Sequence, residues 1–386
     1  MAKLIGSAPN QISTNGDLGS MAFEDKKNYA TISSSIHRPY RNLIINGDMS
    51  IAQRGTNATS LSSNGYFTVD RWKSIHGVGL GVWTDEQSTD VPTGQGFSHS
   101  FKATCTTADA SPASGDIVQL IQEIEGQNMV SLKKGTANAE PVALSFWVKS
   151  NVTGTYTVEW RDADNNRHIC ASYTITTNDT WEKKTITFTG DTLSAFVYDN
   201  TTCGNIGFCY GAGSNFTSGT LATSWSSRNI ANSAVGQVNV GASINNYFQI
   251  TGVQLEAGTT ASDFEFLPYD VNLQRCQRYC FVANTNNYSS LCNAYFDTTT
   301  AVRGGIITFP TIMRASPTIT YTGTPSNFNI SRAGTSNTGA STLPSATFIR
   351  PYSYELLATS SATSVAGYST RILLLSDAII TIDAEL

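Results

Sequence analysis

Apolar and polar side chains alternate through Val142-Ala-Leu-Ser-Phe-Trp-Val-Lys149, which places Leu144 and Phe146 on one face of an extended strand and Trp147 on the other. Either face could be the core. Similar stretches run from Ser98 to Thr104, Ile117 to Ile124, Thr155 to Trp160, His168 to Ile175, Trp181 to Phe188, Ile206 to Tyr210 and Tyr247 to Leu255. Shorter apolar runs, Asn42 to Asp48, Asp70 to Trp72 and Val78 to Trp83, precede them. Turn residues separate about ten such strands at roughly eight- to twelve-residue intervals, the spacing of a sandwich or jelly roll. Asp162-Ala-Asp-Asn-Asn166 is a hairpin turn by composition.

The pattern changes between Ile250 and Cys280. Ile250, Val253 and Leu255 close the last strand of residues 41–268, the large sandwich. Pro268 then suits a helix start, Asp270 complements the positive helix end, and Tyr269, Leu273, Cys276 and Cys280 recur at intervals of three and four. This predicts a linking helix over 269–281, with Cys276 and Cys280 packed inward and Arg275 and Arg278 facing solvent or a neighbouring subunit. Residues 282–386 predict a smaller C-terminal β-sandwich. Its strands run from Cys292 to Phe296, Gly305 to Phe309, Thr318 to Tyr321, Thr347 to Pro351, Tyr354 to Ala358, Arg371 to Leu375 and Ile379 to Ile382. Thr322 to Leu343, rich in Gly, Ser, Thr and Asn, is a long surface loop or hairpin. The last two strands are the most apolar, and burial by neighbouring subunits would cover them. Residues 1–40 hold too few apolar positions for a core and read as an extended arm that orders against a partner. The fold class is therefore all-β: an N-terminal arm, a large jelly-roll sandwich, a short helix and a smaller oligomerising sandwich.

Composition sharpens this. Charged residues are only 14% of the 386, against roughly 25% in an ordinary soluble domain. The surface is polar but largely uncharged. A net charge of −5 argues against nucleic acid, whose phosphates need clustered Lys and Arg. No apolar run reaches the roughly 18 residues of a membrane span, so membrane insertion is not expected. Met-Ala-Lys-Leu-Ile-Gly-Ser carries no apolar stretch of signal length, and secretion by that route is not expected. The seven Cys are odd in number and read as buried thiols rather than a disulfide framework.

The search for chemistry yields no catalytic constellation, so no enzyme activity, cofactor or metal is expected. The four His stand in no metal or nucleophile motif. Cys203-x5-Cys209 and Cys276-x3-Cys280 lack zinc spacing. Glu123 and Glu125 share one face of a strand, but their apolar neighbours make it an ordinary strand. Trp83, Trp160, Trp181 and Trp225 are the candidates for stacking on sugar rings, because flat rings cover the apolar faces of sugars. Core packing is the default for a Trp; Trp225, within Thr223-Ser-Trp-Ser-Ser227, is the exception.

Four groups of motifs carry a resemblance. Asn42-Leu-Ile-Ile-Asn-Gly-Asp-Met-Ser-Ile-Ala-Gln-Arg-Gly55 with Thr68-Val-Asp-Arg-Trp72 resembles the opening of β-sandwich domains in bacteriophage tail-fibre and other virion proteins. Gly252-Val-Gln-Leu-Glu-Ala-Gly258, Phe264-Glu-Phe266 and Cys276-Gln-Arg-Tyr279 resemble the close of that domain. Phe309-Pro-Thr-Ile-Met-Arg-Ala-Ser-Pro-Thr318 and Asp383-Ala-Glu-Leu386 resemble the module that follows it, and Ala8 to Asn15 with Asp17-Leu-Gly19 a virion-proximal arm. The resemblance implies a phage tail fibre or short fibre-like appendage with a carbohydrate-binding-module-like jelly roll. It implies a protein made in the host cytoplasm and carried on the virion, a homotrimer, and other virion proteins held through residues 1–40. It implies host surface glycan as a partner and no catalytic residues. A capsid or neck decoration protein and a carbohydrate-active enzyme are the alternatives.

Overall fold

The computed structural model describes residues 40–76, 79–284, 289–332, 337–375 and 378–386. The expected arm, 1–40, lies outside the described residues apart from Tyr40. Leu43–Leu386 packs as one unit. Its larger part contains β1 (Asn57–Leu61), β2 (Lys73–His76), β3 (Val82–Ser88), β4 (Ser100–Thr107), β5 (Ile117–Glu125) and β6 (Val142–Ser150). These are followed by β7 (Gly154–Asp162), β8 (Arg167–Ile175), β9 (Glu182–Phe188), β10 (Thr202–Ala212), β11 (Ser226–Ser227) and β12 (Tyr247–Ala257). They form two six-stranded sheets, β1-β3-β4-β12-β6-β9 and β11-β8-β7-β10-β5-β2, in which neighbouring strands run antiparallel.

The alternation resolves into an inner and an outer face. Leu144, Phe146 and Val148 point into the core, together with Trp83, Phe101, Phe248 and Leu255 from the same sheet. Tyr156, Val158, Trp160, Phe208 and Tyr210 answer from the second sheet. Rings interlock across the gap: Phe146 meets Phe208 edge-on at 5.0 Å, and Tyr210 stacks on Phe248 at 5.0 Å. Each such ring removes enough apolar area from water to contribute at most about 4–6 kcal/mol. Gly252 has φ +63° where the β12 register shifts between Thr251 and Gln254, and a Cβ there would stand 2.5 Å from the Phe97 ring. Only glycine fits that bulge. The Asp162–Asn166 turn is the β7–β8 hairpin, as expected.

Several expected strands differ. Leu43 to Asp48 is irregular, because its backbone bonds to both sheets instead of one. The Leu43 N–H donates to Leu255 O at 2.9 Å, and the Ile45 N–H to Gln122 Oε1 at 2.7 Å. Asp70 to Trp72 is a turn, with Arg71 at φ +72°, and β2 begins only at Lys73. Val78 lies outside the described residues.

The smaller part contains β13 (Cys280–Asn284), β14 (Ser289–Phe296), β15 (Ala301–Thr308), β16 (Thr318–Thr322), β17 (Phe328–Ser331) and β18 (Thr338–Gly339). It ends with β19 (Ser345–Arg350), β20 (Ser353–Thr359), β21 (Ser369–Leu374) and β22 (Ile379–Asp383). A three-stranded sheet, β13-β22-β16, and a seven-stranded sheet, β18-β17-β21-β14-β15-β20-β19, enclose their own core. The Thr322–Leu343 stretch holds a hairpin, β17 to β18, rather than a loop. Phe328 and Ile330, two apart, bury one face of it. The apolar terminal strands need no neighbouring subunit: β21 lies between β17 and β14, and β22 between β13 and β16. Ile372, Leu374, Ile380 and Ile382 are all buried by this chain itself.

The linking helix spans Tyr269–Gln277, shorter than expected, and Cys280 already belongs to β13. Cys276 and Cys280 are buried. Cys276 and Tyr279 pack with Ile45 and Ile51 in a small third core, with Leu273 and Leu386 against it. Arg278 does not face solvent freely: it grips Glu125 with two bonds of 2.8 Å. Arg314 donates to Ala384 O at 2.8 Å, to Glu385 O at 3.0 Å and to Asn200 O at 3.0 Å. The seam between the sandwiches is thus held by an ion pair and side-chain to backbone hydrogen bonds as well as by packing.

Candidate functional site

The four candidate indoles do not come together. Trp83 and Trp160 are core residues, 0% and 2% exposed, and cannot reach a ligand. Trp83 donates from Nε1 to Leu80 O at 2.7 Å and meets Tyr210 edge-on. It shares its strand face with Asp85, a polar residue that would ordinarily mark the outside. That carboxylate is instead buried, held by Ser74 Oγ at 2.5 Å and by His76 Nε2 at 3.1 Å. Trp225 is half-buried beside the edge of the second sheet. Its Nε1 donates to Thr189 O at 2.7 Å, and the Lys134 ammonium lies 5.5 Å from its ring centroid. The ring packs against the core of the larger sandwich.

Trp181 is different. It immediately precedes β9 at the edge of the first sheet and stays half-exposed. Its Nε1 donates to Asp90 Oδ1 at 3.1 Å, while Lys149 Nζ donates to Asp90 Oδ2 at 2.7 Å. The sheet register carries Lys149 across to Gln249 and Gln249 across to Lys102, so these three share the outer face. Tyr247, two residues before Gln249, belongs to that face. Its hydroxyl donates to Asp179 Oδ1 at 2.6 Å, and Lys102 Nζ stands 5.1 Å from its ring centroid. Gln249 is buried and braces the Asp90 loop, with Nε2 donating to Asp90 O at 3.0 Å and Ser100 Oγ at 2.8 Å.

The electrostatics follow from these partners. Partial burial opposes ionisation of Asp90, but the bonds from Lys149 and Trp181 outweigh it and hold its carboxyl below the usual value. Burial, then the Asp179 carboxylate, push the Tyr247 phenol up, so it remains a donor at neutral pH. The result is a face with two rings, fixed in orientation, beside anionic and cationic hydrogen-bonding groups. Rings can cover the apolar side of a sugar while Asp90, Lys149, Lys102 and Asp179 take its hydroxyls. Sequence reasoning named Trp181 but missed Tyr247, Asp90 and Lys149. Lys149 and Asp90 are 59 residues apart, Trp181 and Asp90 are 91 apart, and no local period links them.

Two other polar clusters are closed. Glu159, His168 and Cys170 bring three ligand-type atoms within 4.8 Å of one another. Arg228 grips Glu159 at 2.8 and 3.2 Å, and His168 Nδ1 stands 2.8 Å from Glu159 Oε1. His168 Nε2 accepts from the Asn229 N–H at 3.4 Å, which leaves Nδ1 as the nitrogen that faces Glu159. Burial and the Glu159 charge raise the Cys170 thiol, which stays protonated. Glu123 and Glu125 do not face one bond: Glu123 meets Lys73 at 3.3 Å, and Glu125 is clasped by Arg278.

No family model and no curated protein matches the chain. Among solved structures it is similar to the enzymatically active domain of tailspike protein 4 of bacteriophage CBA120, with 16% identity and a TM-score of 0.31. That match covers 57% of this chain but only 22% of the tailspike chain. A family 11 carbohydrate-binding module from Clostridium thermocellum, solved with a mixed-linked tetrasaccharide, matches at 13% identity and a TM-score of 0.25. It covers 53% of this chain and 98% of the module. The N-terminal cellulose-binding domain of a Cellulomonas fimi glucanase matches at 13% identity and 0.26, over 55% of this chain and 100% of that domain. At such identities and TM-scores the likeness carries no argument about function.

Proposed function

We propose that this chain is a phage virion structural protein of the tail-fibre or short-appendage kind, whose first sheet contacts host surface glycan through Trp181 and Tyr247. The observation that carries the glycan contact is the outer face itself. It keeps an indole and a phenol half-exposed, each held by a carboxylate, beside Lys149 and Lys102. The motifs at Asn42–Gly55, Gly252–Gly258 and Asp383–Leu386 support the virion assignment. In this reading residues 1–40 join the chain to other virion proteins, and the role is binding rather than catalysis.

A glycan array probed with the full chain, followed by titration of the hits, tests the contact. Trp181→Ala is expected to weaken binding about two- to tenfold, while Trp225→Ala leaves it unchanged. If no glycan binds, and antibody to the larger sandwich leaves host adsorption unaltered, the chain is a decoration or assembly protein. One observation bears on how copies of the chain associate. Ile306 and Phe348 are 74% and 64% exposed on the smaller sandwich. Ile306 stands opposite Glu355, which is itself opposite Thr347, the neighbour of Phe348. A homotrimer would cover such residues, and light scattering of the full chain tests it.

A further inference from the structure

Lys134 is buried, and its ammonium sits between two carboxylates. Nζ lies 2.5 Å from Asp162 Oδ2 and 3.1 Å from Asp191 Oδ2. The side chains of Lys134, Asp162 and Asp191 are 4%, 0% and 3% exposed. Nζ also donates to Ser194 O at 2.7 Å and Leu193 O at 3.1 Å, which fixes its direction. The rings of Phe196 and Trp225 flank it at 5.0 and 5.5 Å and shield it from water. Arg167 holds Asp191 at 2.7 and 3.1 Å. With that charge balanced by Arg167, Asp191 is not needed to neutralise the lysine. Asp162 Oδ1 accepts from the Asn165 N–H at 3.0 Å, and Oδ2 from Asn165 Nδ2 at 2.9 Å.

We propose that Lys134 and Asp162 join in an intramolecular isopeptide, an Nζ–Cγ amide that the folded chain forms on itself with Asp191 carrying the proton. The ammonium first passes a proton to Asp162 across their short contact, which leaves a neutral amine and a neutral acid. Nζ is in contact with Oδ2, the oxygen bonded to Cγ, so the two reacting groups start as immediate neighbours, as the attack requires. The amine attacks Cγ, the Nζ–Cγ bond forms, and the negative charge collects on Oδ1. The Asn165 N–H already points at that oxygen. Asp191 takes a proton from Nζ and returns it to the Oδ2 hydroxyl. The Cγ–Oδ2 bond breaks and one water leaves. One C–N bond replaces one C–O bond, Asp191 ends as it began, and no oxidant or reductant is involved.

The product would tie the loop between β5 and β6 to the end of β7, beneath Trp225. It is independent of glycan binding. Intact-mass spectrometry of the full chain, unfolded in denaturant and reductant, reads the bond directly. The expected mass is one water below that of the sequence, and a tryptic digest gives one branched peptide containing Lys134 and Asp162. Asp191→Asn, which keeps both reacting groups, is expected to return the chain to its full sequence mass, as is Lys134→Arg. A native chain at full sequence mass, with the two peptides released separately, overturns the proposal whatever the variants do. A native chain lacking one water whose Asp191→Asn variant also lacks it overturns the role of Asp191.

Discussion

Arg71 and Glu385 form a buried ion pair although 314 residues separate them in the chain. The same guanidinium donates from Nη2 to Glu123 O at 2.7 Å and lies over Tyr279, its Cζ 3.5 Å from the ring centroid. Arg54 adds Asp383 at 3.0 Å and a second contact to Glu385 at 3.3 Å. The Tyr66 hydroxyl donates to Leu386 O at 3.0 Å, and Gln53 Nε2 to Cys280 O at 2.7 Å. The last residues of the chain therefore lock the smaller sandwich onto the opening turns of the larger one.

Removing one partner of that lock should be severe. Glu385→Ala leaves Arg71 buried beside a missing counter-charge, an expected loss of about 3–5 kcal/mol in urea unfolding. Lys133→Ala is the control, since its pair with Glu140 is exposed and should contribute under about 1 kcal/mol. A loss below about 1 kcal/mol for Glu385→Ala would show that the lock is decorative.

Asp70 makes the same region pH-dependent. Burial raises its carboxyl to about 6, against the opposing bonds from Gln53. Below its unfolded value, about 4, the group is protonated in both states. Between about 4 and 6 the folded state holds the proton more tightly, so this group's contribution to stability falls as pH rises through that window. Asp70→Asn should remove this component. Comparing urea midpoints of the two proteins at a mildly acidic and a neutral pH measures it. A pH-independent difference would count against the raised value.

Cys276 tests the packed seam without charge. Cys276→Ala should cost about 1–3 kcal/mol through the small cavity beside Ile45, Ile51 and Tyr279. Burial also raises the Cys276 thiol well above its ordinary value, so the native chain should leave it unlabelled by iodoacetamide at neutral pH. Rapid labelling would mean that the seam opens.

The indoles separate core from surface. Trp83→Ala should cost about 3–5 kcal/mol, because it empties a fully buried site between the sheets. Trp181→Ala should cost less than about 1 kcal/mol of stability and change ligand binding instead. Thermal unfolding of both variants distinguishes the two roles, and equal losses would place Trp181 in the core as well.

Much of this architecture was readable along the chain. Alternation at Val142–Lys149 and Tyr247–Leu255 is local, because successive side chains of a strand leave on opposite sides. The helix at Tyr269–Gln277, the Asp162–Asn166 hairpin and the all-β class followed from similarly short-range rules. Phe328 and Ile330 obey the same rule inside the stretch read as a loop or hairpin, and the hairpin is what forms.

What alternation leaves open is which face meets a partner, since a strand's period has no sign. Leu144 and Trp147 were equal candidates for the core until the second sheet covered one side. Trp83 lies inward together with Asp85, whose carboxylate Ser74 and His76 enclose, contacts that no local pattern marks. The apolar β21 and β22 invited a neighbouring subunit until β17, β14, β13 and β16 were seen to flank them. Strands, turns and class depend on residues a few positions apart and can be read along the chain. Folding alone brings Trp181 to Asp90, Lys134 to Asp162 and Arg71 to Glu385. Those contacts depend on distances that the chain closes only when it folds.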